Sequence, residues 1–468
     1  MKYYVPNNLD IDQHINLYIP SNIIPFQKSK LLYILDLVTT IPANNKGLEL
    51  SNGFVPINAK MLQTKVRNYK QYLDYLISSK VFEVNKQYIP SEKSRGYKFS
   101  KQYATPVRIV FDGKHEKLKN NNKKPKMHLS VSDQRKYQHL IKWYNEGLQI
   151  DKHLAQQFIL QDYQNKIANT SVLAKTDGDK DPLVQYNSAL VSIEKIDAGA
   201  QQFNIDDFGY RFHSILTNLK SELRNLLTYN RLQLVSIDIK NSQPYISTLL
   251  FNTSFWELTT QLDVLTHNSI GITLTNIFNQ YSTDYFIMLC KKAISCKDSD
   301  LHKYKEIVQN GTFYEYMAEQ SNMEMDDRKK LKAAMFQVLF TGNSFISQKE
   351  AAPKRIFQEL FPDVYELFNL LKRKEKDNMP MLLQRIESNV ILLKVTKRIA
   401  KEHPELPIFT IHDSIITTEG NEAYIQQVMQ VEMSKIFGIA PQLTVSLWKP
   451  DNLMMGEGVV KNQIQIAA

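Results

Sequence analysis

Residues 232–251 read LQLVSIDIKNSQPYISTLLF, and the fold turns on them. Apolar residues alternate through 232–237 and predict a buried strand ending at Asp238, with a helical apolar run behind it. A carboxylate at the end of a buried strand has its position fixed by the sheet, which suits it to hold a metal ion. Residues 406–420, LPIFTIHDSIITTEG, supply a partner. Two apolar strands, 406–411 and 415–417, flank His412-Asp413-Ser414 and predict a hairpin with Asp413 at its turn. Laid beside the first strand, that hairpin would gather two carboxylates from distant sequence around a pair of magnesium ions. Such ions stand roughly 3.5 to 4 Å apart and clamp the attacking and leaving oxygens of phosphoryl transfer.

Between the two stretches lies MDDRKKLKAAMFQVLFTGNSF, residues 325–345. On a helix over about 326–342, Arg328, Lys332, Phe336 and Phe340 recur at every fourth residue and share one slowly rotating face. Two cations can hold a triphosphate while two rings stack on a sugar and base.

The composition agrees with an anionic partner. The chain has 468 residues, enough for two or three domains, with 43% hydrophobic residues and a formal net charge of +10. Lys and Arg clusters release condensed counterions when they meet phosphate. The cysteines are Cys290 and Cys296, with no cysteine–histidine cluster at zinc-ligand spacing, so a reducing compartment is expected. The start, MKYYVPNNLD, lacks the apolar core of a signal peptide, and no window approaches the roughly 18 apolar residues of a membrane span. The expected location is the cytoplasm, without a membrane partner.

Residues 1–106 read as a small module of amphipathic helices and a hairpin. Leu31, Leu32, Ile34, Leu35 and Val38 make one helical stripe, and Tyr69, Tyr72, Leu73, Leu76 and Ile77 another, with room for a short helix near 56–62 between them. Residues 81–100 alternate on both sides of a Ser/Gly turn, predicting a hairpin whose tip carries Lys93 and Arg95. This order resembles a winged helix-turn-helix, in which Lys65, Arg67 and Lys70 lie on or beside a groove-entering helix and the wing grips phosphate. A helical cap with a solvated basic face fits the same residues. Residues 107–128 read as a basic linker, and 129–205 as long helices that include QRKYQHLIKWYNEGL.

Taken in chain order, the Asp238 strand, the R-x3-K-x3-F-x3-F helix and the His-Asp hairpin resemble motifs A, B and C of the family A DNA polymerases and the related single-subunit phage-type RNA polymerases. The resemblance covers about 130–468. It implies an α+β right-hand polymerase: a palm with an antiparallel sheet, and helical fingers and thumb, preceded by the winged helix-turn-helix-like module. The thumb-like region would be 129–205, the palm 206–252 and 379–468, and the fingers 253–378. Asp238 and Asp413, with the backbone carbonyl of Ile239, would hold two Mg2+ ions, for which Mn2+ could substitute. Arg328 and Lys332 would bind the triphosphate, Phe336 the sugar, and Phe340 would stack beside the nascent pair. GYRFHSILTNL (209–219) resembles the motif that makes Arg211 a primer or nucleotide contact. LLQRIESNVILLKVTKRI (382–399) resembles the helix whose Gln384 and Glu387 face template and primer, with His412 orienting the primer.

The chain also departs from the family pattern. Gln243 stands where family A has a glutamate that excludes a ribose 2′-hydroxyl, and it is followed by Pro244, an unfavourable helix residue. Ser414 follows the His-Asp pair, as in the RNA polymerases, and Phe340 lacks a tyrosine hydroxyl. Gln243 is bulky enough to favour deoxynucleotides, while the other two departures pull toward ribonucleotides. Residues 1–127 are too short for a proofreading exonuclease. The resulting expectation is a DNA-directed DNA polymerase without proofreading, taking a DNA template, a primer and nucleoside triphosphates, in replication or priming of a mobile element. An RNA polymerase or primase on the same fold is one alternative. The other is a non-catalytic DNA-binding replication initiator or regulator.

Overall fold

Strand Leu232–Ile239 is the spine of the molecule, because it is paired on both edges. On one side Leu234 to Ile237 lie antiparallel to Thr418 to Ile415, and on the other Leu234 to Ile239 lie antiparallel to Trp448 to Leu443. Leu234, Val235, Ile237 and Ile239 are all buried, as expected for an apolar run covered on both faces. The hairpin partner forms from Phe409–Ile411 and Ser414–Thr418, and Ile411 pairs with Ser414 across the two-residue turn His412-Asp413. Helix Glu422–Phe437 packs on this sheet through buried Ile425, Val428, Met429 and Met433. Helix content and antiparallel sheet together make the chain α+β.

The computed structural model describes residues 2–45, 47–85, 94–112, 129–169, 181–252, 255, 266–267, 272–273, 283–295, 300–321, 332 and 336–453. Arg328, Lys93 and most of 113–128 and 322–335 lie outside them. No helix among the described residues is long and apolar enough to cross a membrane.

Helices Asp300–Gln309, Phe313–Gln320, Ala352–Leu360 and Pro362–Leu371 pack around Tyr304. Its ring lies edge-on to Phe313, Phe357 and Phe361 at 5.8, 5.9 and 5.5 Å, and its hydroxyl shares a 2.7 Å hydrogen bond with Ser247. That bond reaches helix Ser242–Ser247, which follows the central strand. Pro244 fits there without loss: it stands in the first turn, where its missing N–H would have had no helical partner.

Two expectations for the amino-terminal half need correction. Val107–Phe111, read as linker, is a strand antiparallel to Lys2–Pro6, since VRIVF is rich in β-branched residues. Residues 134–148, read as a long helix, break into Val131–Lys136 and Gln138–Ile141, followed by strand Leu148–Ile150. That strand pairs with Leu227–Tyr229 and so joins the central sheet. The turn before it needs Gly147: a Cβ there would meet the Asn230 side-chain oxygen at 2.6 Å. Helices Lys152–Asn169 and Pro182–Asp197 follow.

The first hundred residues have their own core, around Leu31, Leu35, Tyr72 and Leu76. Its order is helix Lys28–Asn44, strand Val55–Pro56, helices Ala59–Lys65 and Tyr69–Ser78, then strands Phe82–Asn85 and Gly96–Phe99. Gly96–Phe99 is the middle strand of the three. Buried Glu194 ties this part to Pro182–Asp197, accepting from Lys2 at 2.8 Å and Lys152 at 2.7 Å.

The central strand sets the stability of the site it carries. Ile237→Ala removes a fully buried side chain and is expected to cost about 2–5 kcal/mol. A lowered denaturation midpoint with an unchanged slope is the expected reading in urea.

Candidate active site

Cross-strand pairing puts Asp238 opposite Thr444 and Ser236 opposite Ile416 and Ser446, so serine and threonine hydroxyls share the face that bears the carboxylate. Ser236 donates to Asp238 Oδ2 at 2.8 Å, and Ser414, the first residue after the hairpin turn, donates to Oδ1. Asp413 occupies the turn itself. Burial, and then the charge of Asp238, raise its pKa above the usual carboxylate value, while Lys332 pulls the other way. The two carboxylates therefore face one another closely enough to repel, and the lysine of the R-x3-K-x3-F-x3-F helix answers the excess negative charge.

His412 sits in the left-handed region with φ of 54°, a conformation costing on the order of 1–3 kcal/mol outside glycine. Tyr210 and Asn241 share that region, with φ of 54° and 52°. Burial and the nearby Arg211, His213 and Arg224 charges press the His412 pKa down to about 4, so the ring is neutral at neutral pH. Its Nδ1 finds no partner among the described residues. A neutral ring suits orientation of a substrate or of the hairpin.

Lys332 is exposed, and its ammonium lies 5.6 Å from the centre of the Phe336 ring, which meets Phe340 edge-on at 5.2 Å. Phe336 and Phe340 lie on the described helical segment 336–340, while Arg328 and residues 333–335 are outside the described residues.

The residues expected to touch primer or template divide. Arg211 is turned onto Glu387, with Nε at 2.8 Å and Nη2 at 2.7 Å from the same carboxylate oxygen. The other Glu387 oxygen accepts from the Gln243 amide. Glu387 is 2% exposed and does not open on solvent; burial, with Asp413 adding, lifts its pKa to about 7 against the pull of Arg211 and Gln243. Gln243 is thus held in one orientation, its carbonyl oxygen without a partner among the described residues. Gln384 lies under Gly209, where a Cβ would meet it at 2.5 Å. Lys65, on the third-order helix Ala59–Lys65, is half-buried, whereas Arg67, Lys70 and Arg95 are exposed on the separate amino-terminal core.

Other residues of the site left no clear mark in the sequence. Asp206 organises the loop that carries Arg211, accepting from the amides of Gly209 at 2.5 Å and Arg211 at 3.1 Å and pairing with His213 at 2.8 Å. Burial opposes its ionisation, yet the His213 hydrogen bond and the two amides hold its pKa down to about 2. An aspartate three residues before a glycine is the one local hint of this turn. Arg385 donates to the carbonyls of Phe208 and Asp207 at 3.0 and 3.1 Å, and Ser388 to that of Gly209 at 2.7 Å. Arg224, 14 residues before Asp238 in the sequence, acts electrostatically on Asp238 and His412.

The donor set suits a hard divalent cation. Two carboxylates close enough for one to raise the pKa of the other are relieved by a positive ion between them, and Mg2+ is commonly held by one or two carboxylates with substrate phosphates completing its shell. No group of three or more His, Cys, Asp or Glu side chains among the described residues could hold a metal ion.

A scan against models of protein families finds no match, and no curated protein matches. Among solved structures, the chain is similar to the POL domain of Pol1 from M. smegmatis in complex with DNA primer-template and dNTP, at 12% identity and a TM-score of 0.41, over 67% of this chain and 70% of that one. At that level of likeness the functional reading rests on the side chains described above.

Asp206→Asn tests the loop. The folded-state pKa lies below that of an unfolded aspartate, so its contribution to stability is present above about pH 4 and lost as the pH falls toward 2. The wild-type thermal midpoint should therefore fall more steeply than that of the variant across this acid range.

Proposed function

We propose that the chain is a template-directed nucleotidyltransferase, most specifically a DNA-directed DNA polymerase without proofreading that serves replication or priming of a mobile element. The observation that carries the reading is the meeting of Asp238 and Asp413 across the hairpin, with Lys332 acting on Asp413. In this reading a primer 3′-hydroxyl attacks the α-phosphate of a nucleoside triphosphate and pyrophosphate leaves.

Asp238, Asp413 and the carbonyl of Ile239 would hold two magnesium ions, which supply activation of the attacking oxygen and neutralisation of the leaving one. Ser236 and Ser414 orient the Asp238 oxygens. Lys332, together with Arg328, balances the charge of the triphosphate, and Phe336 and Phe340 offer ring faces to sugar and base. The buried Glu387 fixes Arg211 and Gln243, leaving the Gln243 carbonyl as the group that meets the sugar edge. Lys65, Arg67, Lys70, Lys93 and Arg95 would grip duplex phosphates through the amino-terminal module, in the manner of a winged helix.

An RNA polymerase or primase is favoured by one observation: Ser414 serves Asp238 by a hydroxyl where DNA polymerases of the family place a carboxylate. A paired assay decides among the readings, with labelled dNTPs or rNTPs offered on primed and unprimed templates in Mg2+ or Mn2+. Primed dNTP incorporation is expected, falling at least roughly 100-fold in Asp238→Asn and Asp413→Asn. Preferential rNTP use would establish the second reading. Undiminished extension by either variant would sink the site assignment, and sequence-specific DNA binding without any incorporation would make the chain a non-catalytic initiator.

A further inference from the structure

The helical segment 336–340 ends at Thr341-Gly342, and the short turn Asn343–Ser347 that follows returns one bond to it, from the Phe345 N–H to the Gly342 carbonyl at 3.2 Å. Two lysines reach these groups from neighbouring helices. Lys354, in the first turn of Ala352–Leu360, donates to the Gly342 carbonyl at 2.7 Å and to the Thr341 carbonyl and hydroxyl at 3.3 and 3.2 Å. Lys372, which closes Pro362–Leu371, donates to the Val338 carbonyl at 2.7 Å. They are 0% and 3% exposed. Buried ammonium groups are ordinarily paired with acids. Here the partners are carbonyls and one hydroxyl, and the charge acting on Lys372 is that of Lys354.

Such a pair is costly to bury and does no work in nucleotide chemistry by contact. What it does touch is the end of the helical segment that presents Phe336 and Phe340. Cations at a helix C-terminus meet the negative end of its dipole, and their hydrogen bonds stop the last turn from unwinding. Burial brings Lys354 to about 8, and burial with the Lys354 charge brings Lys372 to about 7.

We infer that Lys354 and Lys372 are positioning residues for nucleotide binding, clamping the end of the 336–340 helix so that the Phe336 and Phe340 rings are held in place. The inference rests on the polymerase reading and adds to it two residues that never meet the substrate.

Steady-state single-nucleotide incorporation tests it on Lys354→Met, Lys372→Met and the double variant, with primer–template affinity and thermal midpoint measured on the same proteins. Arg355→Met is the control. Arg355 holds the neighbouring loop through the carbonyls of Ile346 and Gln348, both at 2.8 Å, and does not touch the helix end. In both lysine variants the nucleotide KM should rise about tenfold, by more than kcat falls, with primer–template affinity retained. The double variant should be less than additive, because the amines act as one cluster. Arg355→Met should lower the thermal midpoint while leaving the nucleotide KM in place. Should a methionine variant fail to fold, Thr341→Val removes one of the Lys354 acceptors and should raise KM about threefold. An unmoved nucleotide KM in folded lysine variants, with a stability loss like that of Arg355→Met, overturns the inference while wild-type incorporation leaves the polymerase reading standing. A wild-type protein that incorporates nothing removes both.

Discussion

The structure depends on holding two negative charges together. Asp238 and Asp413 are far apart in the sequence, and the charge of Asp238 raises the cost of ionising Asp413. Only a stiff support keeps such a pair in place, and the antiparallel pairing of Leu232–Ile239 with Ser414–Thr418 provides it. The strand is paired on its far edge as well, by Leu443–Trp448, so the backbone that carries Asp238 is held from both sides. The left-handed turn at His412 is held by the same pairing. Repulsion built into a rigid frame is a standing demand for positive charge, met in part by Lys332.

Around this centre, buried polar groups serve as fasteners. Glu387 ties Arg211, on a loop, to Gln243, on the helix after the central strand, so one carboxylate fixes two groups from separate parts of the chain. Asp206 shapes the loop from within, while Arg385 and Ser388 hold it from helix Asn378–Asn389. Each bond is modest alone. Breaking one partner of a buried set leaves the rest unsatisfied, which makes the cluster rigid as a whole.

What the sequence made legible follows from how local each signal is. The alternation over 232–237 and the apolar runs flanking His412-Asp413 mark strands that form near the expected places, because burial on both faces leaves a pattern in neighbouring residues. The helical stripes at 31–38 and 69–77 do the same. Strand Leu148–Ile150 was hidden: three residues after a turn carry too little periodicity, and only pairing with Leu227–Tyr229 makes them a strand. The partner of Gln243 was hidden for a related reason. Glu387 lies 144 residues away, and nothing beside either residue announces that they meet. Arg224 and the Lys354–Lys372 pair are likewise products of tertiary packing.

The central claim is that Asp238 and Asp413 together hold the cations of nucleotidyl transfer. Counting Mn2+ by electron paramagnetic resonance tests it directly, on the protein saturated with a chain-terminated primer–template and the next complementary dNTP. The account predicts two protein-dependent Mn2+ ions per ternary complex in the wild type and a loss of at least one in Asp413→Asn, with the primer–template still bound. The same number of ions in both proteins would contradict it.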